Sequence, residues 1–340
     1  MKTVMKWFRR VVYAVFVAFL LGVVFCLHLA YQILTPAGRP AVTAYDLKPG
    51  TSVRELAHDL RQRGLIRSSL AFYCLLRVSP KSRLLQAGVH RLSPSMDALQ
   101  VLSELTKVVR APSIRLTIPE GERLPEVAHR VQQKLRVPAS SFLAYTIYPR
   151  TTFPSKRYLP DTNLEGYLFP DTYDFAPSST AREIVERMLD RFEQVVLQMP
   201  EVRAGHFPGH LNFRQFVILA SLVEAEAKVD ADRPYIAGVY LNRLKIGMRL
   251  ECDSTILYAL KARRALTLLD LRLPSPYNTY LHAGLPPGPI CNPGRKSFEA
   301  ALHPRGDYLY YVRNDRKGDG SHVFARTYAQ HEANIRKYAR

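Results

Sequence analysis

The chain has 340 residues, of which 47% are hydrophobic and 23% charged. This composition excludes a largely disordered protein and allows about one to three domains. The 48 Lys and Arg residues against 29 Asp and Glu residues give a net charge of +19, which alone would suggest nucleic acid, an anionic membrane or an acidic polymer as a partner. The basic residues are scattered, and no zinc finger, aromatic RNA-binding signature or Gly-rich phosphate loop accompanies them, so a solvated basic surface is favoured.

The N-terminal region contains an apolar segment at residues 11–30, in which His28 is the only strongly polar side chain. As a helix, this segment spans about 30 Å, the thickness of a bilayer core. Four basic residues precede it, and apart from His28 the next basic residue is Arg39, which predicts a cytoplasmic N-terminus. The segment is longer than the core of a cleavable signal peptide, and no small-x-small cleavage site follows it. We therefore expect a single-pass anchor in the inner membrane, with the rest of the chain in the periplasm and no nucleic acid as a partner.

The four cysteines, Cys26, Cys74, Cys252 and Cys291, show no C-x-x-C spacing, so neither a metal site nor a redox motif is predicted. Cys26 lies in the apolar segment, where Phe25 precedes it, whereas a lipoprotein signal would have a small residue there. The remaining three cysteines cannot complete a disulfide framework, and most are expected to be small buried hydrophobic residues. No metal or other cofactor is expected.

Residues 35–42 are rich in proline and small residues and are expected to form a linker after a cytoplasmic stub and anchor at 1–34. A first domain is predicted at 43–110 and a larger catalytic domain at 111–340, opened by Pro112.

The sequence of residues 47–60 is similar to that of residues 118–131. The identical pairs are Gly50 and Gly121, Glu55 and Glu126, Ala57 and Ala128, and His58 and His129. Each copy predicts a strand, a glycine turn and the start of a helix whose apolar residues face a core. This pattern resembles the front half of a LysM module, a small βααβ unit that binds N-acetylglucosamine polymers, although a βα unit used twice for packing explains it equally. The paired histidines are expected to pack against neighbouring helices rather than bind ligands.

Other elements follow from hydrophobic periodicity and turn residues. A strand is predicted at 86–92 and a helix at 96–106. Further helices are predicted at 180–198, 212–228, 232–245 and 295–302, and strands at 115–118 and 307–312. The fold class is therefore α+β, with one transmembrane helix, a small LysM-like βα subdomain and a larger, mainly helical catalytic domain.

The segment 211–228 is expected to be a helix buried on almost all sides, with a narrow polar arc of Arg214, Ser221 and Lys228. Glu226 continues its apolar stripe, and Glu224 also lies off the polar arc. A carboxyl group that loses hydration favours its protonated form, which a glycosidic general acid needs. The alternative is a buried ion pair with one of the nearby arginines, Arg233, Arg243 or Arg249, and the pattern alone favours this ion pair.

Several motifs point to one family. Residues 220–226 read ASLVEAE, residues 237–244 read AGVYLNRL, and residues 247–250 read GMRL. Further matching segments are LEGYLFPDTY at 164–173, SPYNTY at 275–280, GLPPGPI at 284–290 and NPG at 292–294. Over essentially its whole length, the chain resembles the YceG-like family of endolytic murein transglycosylases (MltG).

The resemblance implies an enzyme that cleaves the MurNAc–GlcNAc β-1,4 bond inside nascent peptidoglycan glycan strands, leaves 1,6-anhydroMurNAc ends and terminates strand elongation. It implies Glu226 as the single catalytic acid and base, and peptidoglycan synthases as protein partners. Two alternatives remain open at this point: a muramidase-type hydrolase, which needs a second carboxylate to activate water, and a non-catalytic peptidoglycan-binding scaffold.

Beside Glu226, the resemblance implies six substrate-binding or supporting positions, namely Glu224, Asp253, Asn278, Tyr280, Glu165 and Asp171. Asn278 and Tyr280 could instead form a turn, and Glu165 and Asp171 could cap helices. The family usually has Gln, a small hydroxyl residue and Pro where this chain has Glu251, Cys252 and Ser254, so the resemblance gives no support for a cleft role of Glu251 and Cys252.

Overall fold

The computed structural model describes residues 2–108 and 113–339. Within these ranges the protein is of mixed α/β class, mostly helical with small two-stranded sheets. The chain forms two compact units, the second of which begins at Ser113. The predicted domain boundary after residue 110, with Pro112 as the first residue of the next domain, lies outside the described residues.

Helix α1 spans Lys2–Leu34 and is longer than the predicted apolar segment. Its part from Arg9 to Leu34 has a mean hydropathy of 2.6, and none of its most apolar window is buried in the protein. This is the single described helix that is long and apolar enough to cross a membrane. The helix is therefore compatible with a single-pass anchor, and a signal sequence would have the same features.

The remainder of the first unit contains an antiparallel pair of strands with two helices between them. Its elements are β1 (Thr43–Leu47), α2 (Val53–Gln62), α3 (Ser69–Val78), β2 (Gly88–Leu92) and α4 (Ala98–Leu105). In the sheet Thr43 lies opposite Leu92 and Leu47 lies opposite Gly88. The order β, α, α, β agrees with the predicted strand, turn and helix, and the predicted strand at 86–92 and helix at 96–106 are both present.

Helix α2 begins at a capping box, in which Ser52 Oγ accepts from the Glu55 N–H (3.2 Å) and Glu55 Oε2 accepts from the Ser52 N–H (3.0 Å). Its apolar side buries Leu56 and Leu60, as the periodicity predicted. His58 is exposed, and its Nε2 lies 2.9 Å from the side-chain nitrogen of Gln62. The prediction that this histidine packs against a helix was therefore wrong.

The second unit contains ten further α-helices and two small antiparallel sheets among its described residues. The helices are α5 (Leu124–Leu135), α6 (Ala139–Ala144), α7 (Pro149–Thr152), α8 (Ala181–Phe192), α9 (Pro200–Arg203), α10 (Phe213–Glu226), α11 (Arg233–Lys245), α12 (Asp253–Ala259), α13 (Arg295–Leu302) and α14 (Tyr328–Tyr338). The strands are β3 (Ile114–Thr117) paired with β4 (Thr172–Phe175), and β5 (Tyr310–Arg313) paired with β6 (His322–Ala325).

The second copy of the repeat forms β3, a turn and α5. Gly121 in the turn has φ +77°, a left-handed conformation that favours glycine, and its N–H donates to the Asn292 carbonyl (2.9 Å). His129 on α5 is exposed, and its Nε2 lies 2.8 Å from the side-chain nitrogen of Gln133. As with His58, the packing role predicted for this histidine was wrong, because it faces away from the core.

Helix α10 is the central helix of the second unit's core and packs against α11 and α13. Asn212 caps its N-terminus by accepting from the Gln215 N–H (2.9 Å), and every residue from Phe216 to Glu224 is buried. The predicted burial is therefore confirmed. Ser221, expected on a polar arc, is fully buried and accepts from the Ile290 N–H (3.1 Å). The helix ends at Glu226, two residues earlier than predicted, because Ala227 is extended.

The four cysteines are all free. Cys252 and Cys291 are buried, whereas Cys74 is half-buried and Cys26 is exposed on α1. Outside the apolar segment, most cysteines were predicted to be buried, and two of the three, Cys252 and Cys291, are.

Candidate active site

Glu226 is the last residue of α10, so its side chain leaves a buried helix at the point where the chain turns away. Three neutral donors contact its carboxyl group. Ser254 Oγ lies 2.7 Å and Cys252 Sγ 3.3 Å from Oε1, and the Tyr311 hydroxyl lies 3.3 Å from Oε2. Among the residues that the structure describes, no lysine, arginine or histidine forms an ion pair with Glu226.

The donors are kept protonated by burial. Burial first, and the Glu226 carboxylate second, raises the pKa of the Cys252 thiol and of the Tyr311 hydroxyl well above their usual values. The Tyr240 hydroxyl on α11 lies 2.8 Å from that of Tyr311, and burial raises its pKa as well. These groups therefore remain hydrogen-bond donors at neutral pH.

Arg243 and Thr279 position the segment that carries Cys252. The Arg243 guanidinium donates to the carbonyls of Leu309 (2.6 Å) and Leu250 (2.9 Å), which connects the start of β5 with the segment before α12. Thr279 Oγ1 accepts from the Cys252 N–H at 2.9 Å. Arg243 thus binds backbone carbonyls close to the site and does not pair with either glutamate of α10.

Glu224 has a different environment, although it lies only two residues before Glu226. Its Oε2 lies 3.2 Å from the Arg233 guanidinium and accepts from the Gly294 N–H (3.0 Å) and from Ser297 Oγ (2.9 Å). The side chains of Glu224 and Arg233 are 6% and 8% exposed, so the pair is buried. The buried ion pair considered for this helix therefore exists, and it belongs to Glu224.

Asp253 and Tyr280 are joined by a hydrogen bond from the tyrosine hydroxyl to Asp253 Oδ1 (2.6 Å). Asp253 lies between Cys252 and Ser254 in the chain, and both of these neighbours contact Glu226. Asn278, by contrast, is fully buried in its own loop. Its amide nitrogen donates to two backbone carbonyls and its oxygen accepts from the Tyr280 N–H (2.9 Å), which agrees with the turn alternative.

Glu165 and Asp171 both have structural partners. Glu165 is 2% exposed, accepts from the Leu124 N–H at the start of α5 (3.1 Å), and lies 3.3 Å from the Asn292 amide nitrogen. Burial raises the pKa of its carboxyl group to about 8. Asp171 forms an ion pair with Arg191 of α8 (2.6 Å). Glu165 therefore caps α5, as the helix-capping alternative proposed, and Asp171 fixes a loop to α8.

A cleft of roughly 960 Å³ adjoins the end of α10. Its walls come from the turn and helix of the second repeat copy, from the end of α10, and from the segment around α12, where Ser254 lines it. The lining residues at the end of α10 are Glu224, Ala225 and Ala227. Glu226 is not among them, but its carboxyl group accepts a hydrogen bond from Ser254, which is. Ser254 therefore lies between the cleft and Oε1 of Glu226.

Sequence reasoning did not identify Ser254, Tyr311 or Tyr240 as neighbours of Glu226, and it gave Cys252 no role. The segment 250–255 departs from the family pattern at Glu251, Cys252 and Ser254. This departure is the one feature of the sequence that could have indicated Cys252 and Ser254 as site residues. Tyr311 and Tyr240 come from distant parts of the chain, and nothing in their local sequence indicates a shared site. Glu251, also among the departures, is exposed, and its carboxylate lies 3.6 Å from Arg243.

Residues 45–337 match the YceG-like family. The chain belongs to this family. The expected membership is thereby confirmed over almost the whole length of the second unit and most of the first.

Members of the YceG-like family with related sequences include curated enzymes. An endolytic murein transglycosylase of Bacillus subtilis (strain 168) is 33% identical over 325 residues, covering 90% of this chain and 88% of the relative. One of Streptococcus pneumoniae (strain R6) is 30% identical over 320 residues, and the match spans 57% of that longer protein. The crystal structure of a yceG-like protein of Listeria monocytogenes is 31% identical, covers 87% of this chain and 99% of that chain, and has a TM-score of 0.58.

Proposed function

We propose that the protein is an endolytic peptidoglycan lytic transglycosylase, with Glu226 as its single catalytic acid and base. The substrate is the MurNAc–GlcNAc β-1,4 bond of nascent glycan strands, and the product carries a 1,6-anhydroMurNAc end. The names of the curated relatives support murein as the substrate and transglycosylation as the reaction.

The observation that carries the proposal is the set of partners around Glu226. Its carboxyl group contacts three neutral donors, one of which, Ser254, lines the cleft, while Glu224 forms a buried pair with Arg233. A carboxyl group held by a cation would be fixed in its charged form. Neutral partners leave Glu226 able to carry a proton in one step and accept one in the next.

The reaction needs both of these states. Protonated Glu226 donates its proton to the glycosidic oxygen, and the bond from this oxygen to the muramyl C1 breaks. The Glu226 carboxylate then removes the proton from the muramyl 6-hydroxyl, whose oxygen forms the new bond to C1. One proton thus moves from O6 to the leaving oxygen through Glu226, and no water is consumed.

A muramidase-type hydrolase is the second candidate, because it would use the same acid with a second carboxylate to activate water. Glu224 and Asp171 are held in ion pairs and Glu165 caps α5, so they are unsuited to that role. Asp253 and Glu120, which lines the cleft, are the remaining candidates. A non-catalytic scaffold is disfavoured because the acid and its three donors are all present.

Mass spectrometry of the products distinguishes these functions. The purified full-length protein in detergent is incubated with uncrosslinked murein strands, and the new ends are identified after muramidase digestion. We expect products 18 mass units lighter than the hydrolytic ones, because formation of the anhydro ring replaces the addition of water. Reducing muramyl ends would assign the enzyme to the hydrolases, and unchanged strands would support the scaffold.

We further propose that α1 is an inner-membrane anchor with its N-terminus in the cytoplasm, so that the second unit lies in the periplasm. The charge asymmetry of the sequence around residues 11–30 supports this orientation. A reporter enzyme fused after residue 340 should be active only outside the cytoplasm. Mature protein whose N-terminal sequence begins after residue 30 would contradict retention of the anchor.

For the first unit, we propose a LysM-like module at 43–110 that adds affinity for glycan strands to the catalytic domain at 111–340. Its β, α, α, β order supports this proposal. Deleting the module should weaken pelleting with murein sacculi but leave turnover, provided that circular dichroism shows the remaining helices folded. Pelleting equal to that of the full chain would favour a packing role. Peptidoglycan synthases are proposed as protein partners from the resemblance alone.

A further inference from the structure

The charged side chains of the cleft are mostly neutralised by one another. Arg130 pairs with Glu122, Arg263 with Glu126 (2.5 Å), Arg264 with Asp270 (2.7 Å), and Glu224 with Arg233 (3.2 Å). Two cations that line the cleft, Lys228 and Arg123, form no ion pair with any residue in the described part of the chain. They are therefore available to an anionic ligand.

Lys228 lies two residues after Glu226, is exposed, and lines the cleft. The loop between β5 and β6 packs against the first carbons of its side chain. A Cβ added to Gly320, which has φ +78°, would lie 2.8 Å from Lys228 Cβ and 3.3 Å from its Cγ. The loop can approach the lysine this closely because residue 320 is glycine, so the start of this side chain has a fixed position beside Glu226.

Arg123, in the turn before α5, also lines the cleft and is half-buried. Its guanidinium donates to the carbonyls of Leu257 (3.2 Å) and Ala262 (3.4 Å) and lies over the Tyr258 ring. Burial first, and then the like charge of Arg263, lowers the pKa of Arg123. A bound anion would offset both unfavourable effects. Glu120, which also lines the cleft, is the acidic side chain that such an anion must avoid.

We propose that Lys228 and Arg123 bind a carboxylate of the peptide attached to the muramyl sugar next to the scissile bond. This inference rests on the proposed function and names the part of the substrate that the cleft selects. The hexosamine rings of murein are uncharged, and its carboxylates lie on these peptides. Lys228, two residues from the catalytic acid, and Arg123 in the same cleft therefore discriminate peptide-bearing strands from strands without carboxylates.

The test measures binding separately from turnover. Full-length Glu226→Gln protein in detergent is titrated with soluble, fluorescently labelled murein strands. The strands are either intact or stripped of their peptides by an amidase, with the lactyl carboxylates that the amidase frees then converted to methylamides. Adding Lys228→Met should weaken binding to intact strands about three- to fivefold, the upper range for one solvent-accessible ion pair. Binding to stripped strands should change less than about twofold.

Lys245→Met is the matched control, because Lys245 is an exposed lysine at the end of α11, away from the cleft. It should leave both affinities unchanged. Lys228→Glu should weaken binding to intact strands further than Lys228→Met does, and added salt should reduce the difference.

Equal weakening with both kinds of strand, or no weakening with intact strands, would overturn the inference. Failure of the Glu226→Gln protein to bind intact strands would also overturn it. The proposed function is judged separately by the products of the wild-type protein, so strands that bind selectively but are never cleaved would refute the transglycosylase and leave the peptide site standing.

Discussion

Two regions at the end of α10 contain one glutamate each, and they differ in whether a cation or neutral groups contact its carboxyl group. Around Glu224, the guanidinium of Arg233, the Gly294 N–H and Ser297 Oγ surround a carboxylate that is 6% exposed on its side chain. Around Glu226, two residues later, the partners are a serine, a cysteine and a tyrosine, and the cleft begins at the serine.

The difference shows how one buried helix can place two acids in separate roles. The buried ion pair of Glu224 with Arg233 connects α10 to α11, which gives Glu224 a structural role. Neutral donors orient a carboxyl group without fixing its charge, which suits a group that must exchange a proton twice. The helical rotation between the two positions and the end of the helix at Glu226 together produce this separation.

The largest expected effect is that of Glu226→Gln. Glutamine has nearly the same size but cannot donate a proton to the glycosidic oxygen or remove one from the 6-hydroxyl. The rate of anhydro-end formation should fall by at least about 10²–10⁴-fold, the usual contribution of a general acid or base. Steady-state assays on uncrosslinked strands measure this, and circular dichroism checks the fold. Residual turnover above about 10% in a folded variant would contradict the assignment.

The next effect concerns stability. Among the residues that the structure describes, Glu224→Gln leaves Asp230 (3.1 Å) as the one acidic ion-pair partner of the buried Arg233, and it should lower the free energy of unfolding by about 3 kcal/mol. Glu299→Gln removes an exposed pair with Arg295 and should cost less than about 0.5 kcal/mol. Denaturant titrations in detergent compare the two variants. If Glu224→Gln abolished turnover while leaving stability unchanged, the roles assigned to the two glutamates would have to be revised.

Glu165 is a third case, because it is as buried as Glu224 but is held by neutral groups and a helix N-terminus. Burial raises its pKa in the folded protein to about 8 from the ordinary value of 4.5. The folded state therefore binds this proton more tightly than the unfolded state does. The protein should lose stability as the pH rises from about 4.5 to about 8, and this contribution should be constant on either side of that window.

Glu165→Gln should remove this part of the pH dependence, because glutamine is neutral throughout and can still accept from the Leu124 N–H. Thermal unfolding at pH 5.5 and pH 8.5 measures the effect, which should be on the order of a few kcal/mol across the window. Glu186→Gln, a change at an exposed position of α8, should retain the wild-type dependence. Identical pH profiles for wild type and Glu165→Gln would show that this carboxyl group does not titrate with folding.

Local sequence patterns predicted those features that depend on neighbours in the chain. The apolar periodicity of α10 gave its burial, and the bounds of α13 were predicted residue for residue. The strand predicted at 307–312 begins three residues later, at Tyr310. The repeated strand, glycine turn and helix at 47–60 and 118–131 were also predicted, since each copy contains its own turn glycine and apolar stripe.

Features that depend on distant contacts were not predictable in this way. The two repeat copies have similar sequences, but their glycines have different surroundings. Gly50 has open space around it, whereas Gly121 lies beside Glu224 and lines the cleft. Likewise, the position of Glu226 in an apolar stripe suggested burial, but it did not reveal that Tyr311 would reach it from β5. The pairing of Arg233 with Glu224 rather than Glu226 depends on how α11 packs against α10.

The smallest expected effects test whether the neutral donors position Glu226. Ser254→Ala removes the hydrogen bond to Oε1 (2.7 Å). Tyr311→Phe removes the hydrogen bond to Oε2 (3.3 Å) together with the one to the Tyr240 hydroxyl, and each variant should lower kcat about two- to tenfold. Ser254→Ala should lower kcat more than Tyr311→Phe does, because the hydrogen bond from Ser254 is shorter and Ser254 lines the cleft.

Tyr310→Phe, at a neighbouring position of β5 with no contact to Glu226, is the control. A positioning role requires that kcat falls more than KM rises, and that the pH profile of kcat/KM changes for Tyr311→Phe but not for Tyr310→Phe. If all three variants behaved alike, the hydroxyl groups would be ordinary packing partners, and the neutral surroundings of Glu226 would not explain its role.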